Sequence, residues 1–139
     1  MPNITDINTA VYMLLHADQT LAGLCTVYKG GKRPSLVTNP SVTVEANRLE
    51  PGEGEGIWMC DITVTVYTDN LANGMPDHER LDTIVSRIYQ VLEDAETDID
   101  NAQTLPLVRG DISGLNWKSA HEAEISQECV FGLVFIQYS

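Results

Sequence analysis

The stretch that decides the fold is IWMCDITVTVYT, residues 57–68, together with the turn and the amphipathic segment that follow it up to Glu93. Apolar and polar residues alternate in it with period two, and β-branched residues are abundant, which is typical of a strand. Only one face of this strand is expected to cover a core. Met59 and Tyr67 lie on the other face, where they are candidates for a contact surface. The predicted buried face comprises Trp58, Cys60, Ile62, Val64 and Val66.

A turn and a helix are predicted directly after this strand. Residues 69–74 have turn chemistry, Pro76 suits a first helical turn, and Asp77 and Glu79 place negative charge where the helix dipole is positive. The helix therefore begins near Pro76, and its apolar stripe should lie on the apolar face of the strand. The stripe consists of Leu81, Ile84, Val85, Ile88, Val91 and Leu92.

The segments before residue 57 predict a helix, a short extended piece and one half of a hairpin. Apolar residues recur at helical spacing from Ile4 to Leu15, with Thr5 or Asp6 available as the N-cap, and Asp18 suits a second cap. Residues 42–47 alternate like a strand. Between that strand and Ile57, the glycine-rich residues 49–56 are most simply a mobile hairpin tip.

The segments after Glu93 predict an acidic loop at residues 94–101, an edge strand near Pro106, and one very long extended segment, Glu122 to Tyr138. Seventeen residues at ~3.3 Å each would span about 55 Å, which exceeds the core of a chain this size. Either Gly132 marks a bulge or the strand projects towards a neighbouring copy.

These elements together predict an α+β fold. The expected architecture is a mostly antiparallel, mixed β-sheet of two hairpins, with two main amphipathic helices packed on one face. No repeat or linker interrupts the 139 residues, so residues 1–139 are expected to form a single domain.

Charge and cysteine usage limit the functional classes. The formal net charge is −12, from 20 acidic and 8 basic residues, which disfavours specific nucleic-acid binding and anionic membranes. It suits a soluble protein, or one that faces a basic partner or repels DNA. Cys25, Cys60 and Cys129 resemble small core residues of a reducing compartment. Neither a signal peptide nor a membrane span is predicted, so the chain is expected in the cytosol where it is made.

No motif predicts catalysis, a metal or a cofactor. The three histidines are far apart in sequence, and His121-Glu122 lacks the second histidine of a zinc protease helix. His78 and Asp82 could meet across one helical turn, where a solvated pair is the simpler interpretation. The calcium-like start at Asp98 lacks the later loop residues that such a site needs. The chain is therefore predicted not to be an enzyme.

The order of segments resembles the tail-completion, or tail terminator, proteins of long-tailed bacteriophages and prophages. LLHADQTLAGL, residues 14–24, matches their helix pattern, and Val27-Tyr28 and Pro34 match the extended segment and loop that follow. Residues 60–68 and 80–92 are similar to that family's strand and amphipathic helix, and residues 117–138 to its closing strand pair.

The resemblance implies a structural subunit that forms a ring, a hexamer in related systems, which caps the tail tube and offers a surface for joining the head. The implied partners are other copies of the chain, the tail tube protein and a head-completion or neck protein, and the implied location is the virion after assembly in the bacterial cytoplasm. DNA would pass through such a ring, and carboxylates facing the lumen would keep it from sticking.

The candidate interface and lumen residues follow from these expectations. The hairpin tip and the acidic loop depart from the family pattern, and the loop is the candidate for the lumen or a ring face. The full set is Glu50, Glu53, Glu55, Met59, Tyr67, Asp94, Glu96, Asp98 and Asp100.

Two alternatives stay open from the sequence. An acidic binding module of the inhibitor or immunity type would use the same charge to cover a basic partner, as a monomer or dimer. A neck or head-completion protein would be an equally small structural subunit whose work is contact.

Overall fold

A computed structural model describes residues 3–30, 33–34, 38–93, 98–99, 102–104, 108–117 and 124–137. The described helices are α1 (Ile4–Ala17), α2 (Gln19–Ala22) and α3 (His78–Glu93). The described strands are β1 (Thr26–Lys29), β2 (Ser41–Pro51), β3 (Ile57–Asp69), β4 (Asp98–Ile99), β5 (Ala102–Thr104), β6 (Val108–Trp117) and β7 (Glu124–Gln137).

The described strands form one mixed sheet. Its order is β1-β2-β3-β7-β5-β4, and β6 also pairs with β7. Only the β1–β2 pair is parallel, and the other pairs are antiparallel. The predicted α+β class and the mostly antiparallel sheet are therefore confirmed.

The two main helices pack on one face of this sheet, as the alternation predicts. Cys60, Ile62, Val64 and Val66 of β3 are buried, and they form one core cluster with the apolar stripes of α1 and α3. Strand pairing extends this face, since Val64 lies between Val44 of β2 and Cys129 of β7. Trp58 is half-buried at the margin of the same cluster.

The N-terminal boundaries of the helices differ in detail from the sequence expectation. Asn3, and neither Thr5 nor Asp6, caps α1 by accepting the Asp6 N–H at 2.8 Å. Asp18 caps α2 as predicted, by accepting the Leu21 N–H at 2.9 Å. The third helix begins two residues after Pro76, where Asp77 accepts the Arg80 N–H. The expected caps for α1 were wrong because Asn is as good an N-cap as Asp and lies one turn earlier.

The length of β7 is accommodated within the chain. It pairs with β3 in unbroken register from Asp69↔Glu124 to Ile57↔Ile136, so Gly132 is not a bulge against β3. On its other side β7 pairs with β6 and then with β5. The long strand therefore neither bulges at Gly132 nor lacks partners in its own chain, because all 13 residues of β3 pair with it.

The irregular positions lie instead in β6 and β2. The register of β6 against β7 shifts between Arg109 and Ile112 and again between Ile112 and Leu115, around Gly110 and Gly114. In β2 the register shifts between Asn47 and Glu50, where Arg48 has a φ of 56°. Bulges of this kind twist a strand and interrupt its edge.

The acidic segment after α3 is not described throughout. Within residues 94–101, the structure describes a short strand at Asp98–Ile99, which pairs with Ala102–Thr104. This part of the predicted loop is a small antiparallel pair. The predicted edge strand near Pro106 begins at Val108 in the described residues.

Candidate interaction surface

Strand β1 forms one margin of the described sheet. It pairs with β2 on one side, where the Thr26 N–H donates to Pro40 O at 3.1 Å and the Gly30 N–H donates to Val44 O at 2.8 Å. Since successive residues of a strand point their backbone groups to opposite sides, those of Val27 and Lys29 point away from β2. Within the described residues no further strand lies on that side. Among the described strands β1 is therefore an edge strand, in which Val27 is buried and Lys29 is exposed.

A cleft of about 210 Å³ lies beside this margin. It is formed where the end of α1, the short helix α2 and the start of β1 meet. Its wall includes apolar side chains, one imidazole and one thiol. The lining residues are Leu15, His16, Ala22, Cys25, Thr26 and Val27.

The thiol in the cleft is poorly suited to chemistry. Cys25 Sγ donates to Leu21 O at 3.6 Å, and burial raises the pKa of Cys25 to about 11. A thiol with that pKa is protonated at neutral pH, and the thiolate is the form that attacks electrophiles or binds metals. Burial likewise raises the pKa of Cys60 to about 11. Both cysteines therefore behave as small core residues, as their sequence context predicts.

An ion pair fixes the helix that forms one wall of the cleft. Arg87 of α3 donates to both carboxylate oxygens of Asp18, at 2.6 and 2.9 Å, while the same carboxylate caps α2. The hydrogen bond from Arg87 holds the pKa of Asp18 below its usual value, and the pair raises the pKa of Arg87. The two-point geometry of this contact positions α2 against α3.

The segment that contains β1 carries no acidic side chain, although the whole chain is acidic. No Asp or Glu occurs from Gln19 to Val44, whereas three of the 8 basic residues, Lys29, Lys32 and Arg33, lie there. Lys29 is exposed, and its Nζ contacts the Thr9 hydroxyl at 3.1 Å; no carboxylate of the described chain pairs with it.

The hairpin tip between β2 and β3 is a hydrogen-bonded turn. The Gly52 N–H donates to Ile57 O at 2.8 Å, and the Ile57 side chain packs where a Cβ on Gly52 or Gly54 would sit. Gly54 has a φ of 113°, which few other residues adopt. The sequence predicts a mobile tip, but these contacts close the turn. The candidates Glu50, Glu53 and Glu55 are all exposed around it.

The second face of the sheet carries the other two sequence candidates. Met59 is 38% exposed there. The Tyr67 ring lies under the Arg33 guanidinium, 3.5 Å from its centre, and Arg33 also donates to Asn39 Oδ1 and Ser41 Oγ. Arg33 therefore covers Tyr67 within the same chain, while Met59 faces outward. Whether either residue contacts a partner stays a prediction.

The four acidic lumen candidates fall mostly outside the described residues. Asp94, Glu96 and Asp100 are not described, and Asp98 is known only as the first backbone position of β4. The pairing of β4 with β5 places it at the far end of the sheet order from β1. Their role at a ring face or lumen stays a prediction.

Sequence reasoning missed one exposed apolar feature. The loop between β3 and α3 presents Leu71 and Met75, which are 47% and 59% exposed. The loop is closed by hydrogen bonds from the Leu71 N–H to Met75 O and from the Gly74 N–H to Leu71 O, both 2.8 Å. The turn predicted at residues 69–74 is confirmed, and the large apolar side chains in and beside this polar turn are the sequence signal that could have indicated an exposed apolar feature.

The described residues contain no group of three or more His, Cys, Asp and Glu side chains arranged to hold a metal ion. In the same part of the chain, none of the helices is long and apolar enough to cross a membrane. The described surface includes an edge strand, a partly apolar cleft and an exposed apolar loop, which are candidate contact features.

Comparison with known proteins identifies a structural neighbour. Neither a protein-family model nor a curated protein sequence matches the chain. Among solved structures, a chain from "Virion of native gene transfer agent (GTA) particle" is similar, with a TM-score of 0.74 and 15% sequence identity over 94% of both chains. The two chains share their fold over nearly their whole lengths.

Proposed function

We propose that this chain is a structural protein of a virion, specifically a tail terminator or tail-completion subunit that forms a ring on the tail tube and joins it to the head-neck. The observation that carries the proposal is the shared fold with a chain of a gene transfer agent virion, over 94% of both chains. The resemblance of the helix and strand spacing to tail-completion proteins supports the same assignment.

The surfaces of the chain fit a subunit that works by contact. A ring subunit needs two unlike surfaces for its neighbours and further surfaces at the two ring faces. The chain offers the edge strand β1, the cleft beside it and the apolar loop at Leu71 and Met75. The cleft is formed between helices and a strand, and the loop is a hydrogen-bonded turn.

The charge fits a ring through which DNA passes. A net charge of −12 repels phosphate and gives the duplex no basic track to follow. The partners proposed are other copies of the chain, six in a ring as the resemblance implies, the tail tube protein and a head-completion or neck protein, with no specific binding of nucleic acid. The proposed location is the virion.

Deletion of the reading frame in the particle-producing cell tests the proposal, with the particles observed by electron microscopy. A missing tail terminator is expected to leave tubes of uncontrolled length that lack heads, and supplying the wild-type chain should restore uniform, joined tails. Tails of normal length beside detached heads would instead identify a neck or head-completion component. Unchanged, infectious particles would refute a structural role and favour the acidic binding module.

A further inference from the structure

No side chain of the described residues fills the cleft beside β1, which makes it a candidate acceptor for another chain. Its lining comes from α1, α2 and β1, and the apolar loop between β3 and α3 contributes none of it. The backbone groups of Val27 and Lys29 face outward along its margin. An apolar cleft next to an edge strand is a place where another chain can dock.

The loop between β3 and α3 has the properties of a donor for such a cleft. Met75 and Leu71 are exposed by 59% and 47%. The loop is held by three hydrogen bonds, which include the Met75 N–H to Asn73 Oδ1 at 3.0 Å. A preformed loop loses little conformational freedom when it docks. Methionine is also the side chain that adapts best to an irregular apolar cavity.

Charge complementarity favours a second copy of this chain as the occupant. Lys29 lies on β1, which contributes Thr26 and Val27 to the cleft, and it is exposed without a carboxylate partner in the described chain. The loop is followed at once by Asp77 and Glu79, and the Glu79 side chain is exposed. Two copies of a chain with net charge −12 repel each other, and a contact between an exposed lysine and an exposed glutamate reduces that repulsion.

We propose that the loop carrying Leu71 and Met75 of one copy docks into the cleft beside β1 of the next copy, with Glu79 facing Lys29. This deepens, and rests on, the proposed ring function. The contact joins two unlike surfaces, so each copy has one loop and one cleft to offer, and copies add head to tail until the ring closes.

Two substitutions block the two sides of the contact separately. Met75→Asp places a charge on the loop, and Ala22→Trp fills the mouth of the cleft from an exposed position on α2. Met59→Asp is the matched control, because Met59 is also an exposed methionine but lies on the second face of the sheet. Circular dichroism establishes that each variant is folded before its mass is compared.

Sedimentation and native mass spectrometry then measure assembly of the full chain from about 10 μM to about 1 mM, the range in which weak self-contacts are populated. The wild type and Met59→Asp are expected to assemble, while Met75→Asp and Ala22→Trp alone stay monomeric. An equal mixture of those two should form a one-to-one pair, because an intact loop meets an intact cleft. A Lys29→Glu chain should weaken assembly at least tenfold and recover when Glu79→Lys is added.

Other outcomes would overturn the contact or the ring, and they can be told apart. A wild type that stays monomeric to about 1 mM, or assembly that survives both blocking substitutions, refutes the docking of loop into cleft. A wild type that stops at a dimer, blocked by the same substitutions, supports the contact but counts against the ring. Normal tails in cells that make only Met75→Asp chains would refute the contact and leave the tail function standing.

Discussion

At the scale of single residues, the Asp18 carboxylate both caps a helix and forms an ion pair. It caps α2 through the Leu21 N–H and pairs with Arg87 of α3 through both oxygens. The side chains of Asp18 and Arg87 are 15% and 32% exposed, so water screens the pair only in part. Because the cleft wall is formed by α2, this pair holds the proposed docking surface in place.

The pH dependence of stability follows from the lowered pKa of Asp18. A carboxyl whose pKa is lower in the folded state stabilises that state above its unfolded pKa, ordinarily 3.8, and the stabilisation is lost as the pH falls through the folded pKa. Asp18→Asn keeps a good cap but removes the charge. Its melting temperature should lie a few degrees below that of the wild type at pH 7, and the gap should close below pH 4.

Thermal unfolding followed at several pH values between 2 and 8 measures this gap. Asp82→Asn is the control, because Asp82 is exposed on the same helix that carries Arg87 and forms no ion pair with another described residue. A gap that does not change with pH would show that the charge of Asp18 is not the cause. Asp18→Ala also removes the cap and should lose about a further 1 kcal/mol.

At the scale of elements, the β2–β3 tip is held in shape by its glycines and by Ile57. A Cβ on Gly54 would lie 3.0 Å from Ile57 Cδ1, at a φ of 113° that a side chain rarely tolerates. Gly54→Ala is therefore expected to lower the free energy of unfolding by about 1–2 kcal/mol. Urea unfolding at neutral pH measures the difference.

The matched control for that substitution is Gly23→Ala. Gly23 follows α2 with a φ of −77°, and a Cβ there would meet only backbone oxygens at 3.6 and 3.8 Å. Alanine should be neutral or slightly stabilising at this position, because it restricts the unfolded chain without strain. If Gly54→Ala proved equally neutral, the tip would be free to rearrange, as the sequence alone suggests.

Several elements could be predicted from the sequence because their signals are local. The alternation in residues 57–68 determined which face of β3 is buried, and the period of 3.6 located α1 and α3. The cap at Asp18 was also readable, since capping depends on a carboxylate and the N–H groups of the next turn.

Other features depend on long-range contacts that no local pattern contains. Nothing in residues 122–138 indicates that β3 would pair with β7 in unbroken register over 13 residue pairs. The parallel pairing of β1 with β2, and hence the edge strand and its cleft, also needs the assembled sheet. The Arg33 guanidinium packs over the Tyr67 ring, 34 positions away in the sequence. No local pattern could therefore predict that Arg33 covers Tyr67.

At the scale of the whole molecule, charge is divided unevenly. All 20 carboxylates lie outside residues 19–44, and three of the 8 basic residues lie inside them. In a ring, the proposed contact would cover Lys29, which would leave the free surface more acidic than that of the isolated chain. This links the proposed docking contact to the proposed repulsion of DNA, because a lysine that contacts a neighbouring copy cannot also bind a phosphate group.

Charge reversal in the acidic segment after α3 tests the lumen assignment. If Asp94, Glu96, Asp98 and Asp100 face the passage, changing Asp94 and Asp98 to Lys should leave tails of normal length and number but slow the delivery of DNA, because cations in the passage attract phosphate. The measurements are particle morphology by electron microscopy and DNA transfer to recipient cells. The expected loss of transfer is at least tenfold at low ionic strength, smaller as added salt screens the charges.

The hairpin tip supplies the control for that reversal. Glu53→Lys with Glu55→Lys makes the same change in net charge at exposed positions of the β2–β3 turn. If the acidic segment lines the passage, the tip variant should transfer DNA normally while the double reversal at Asp94 and Asp98 does not. Equal loss in both would mean that net charge alone controls delivery. Failure of the Asp94 and Asp98 variant to assemble would place those carboxylates in subunit contacts and end the lumen assignment.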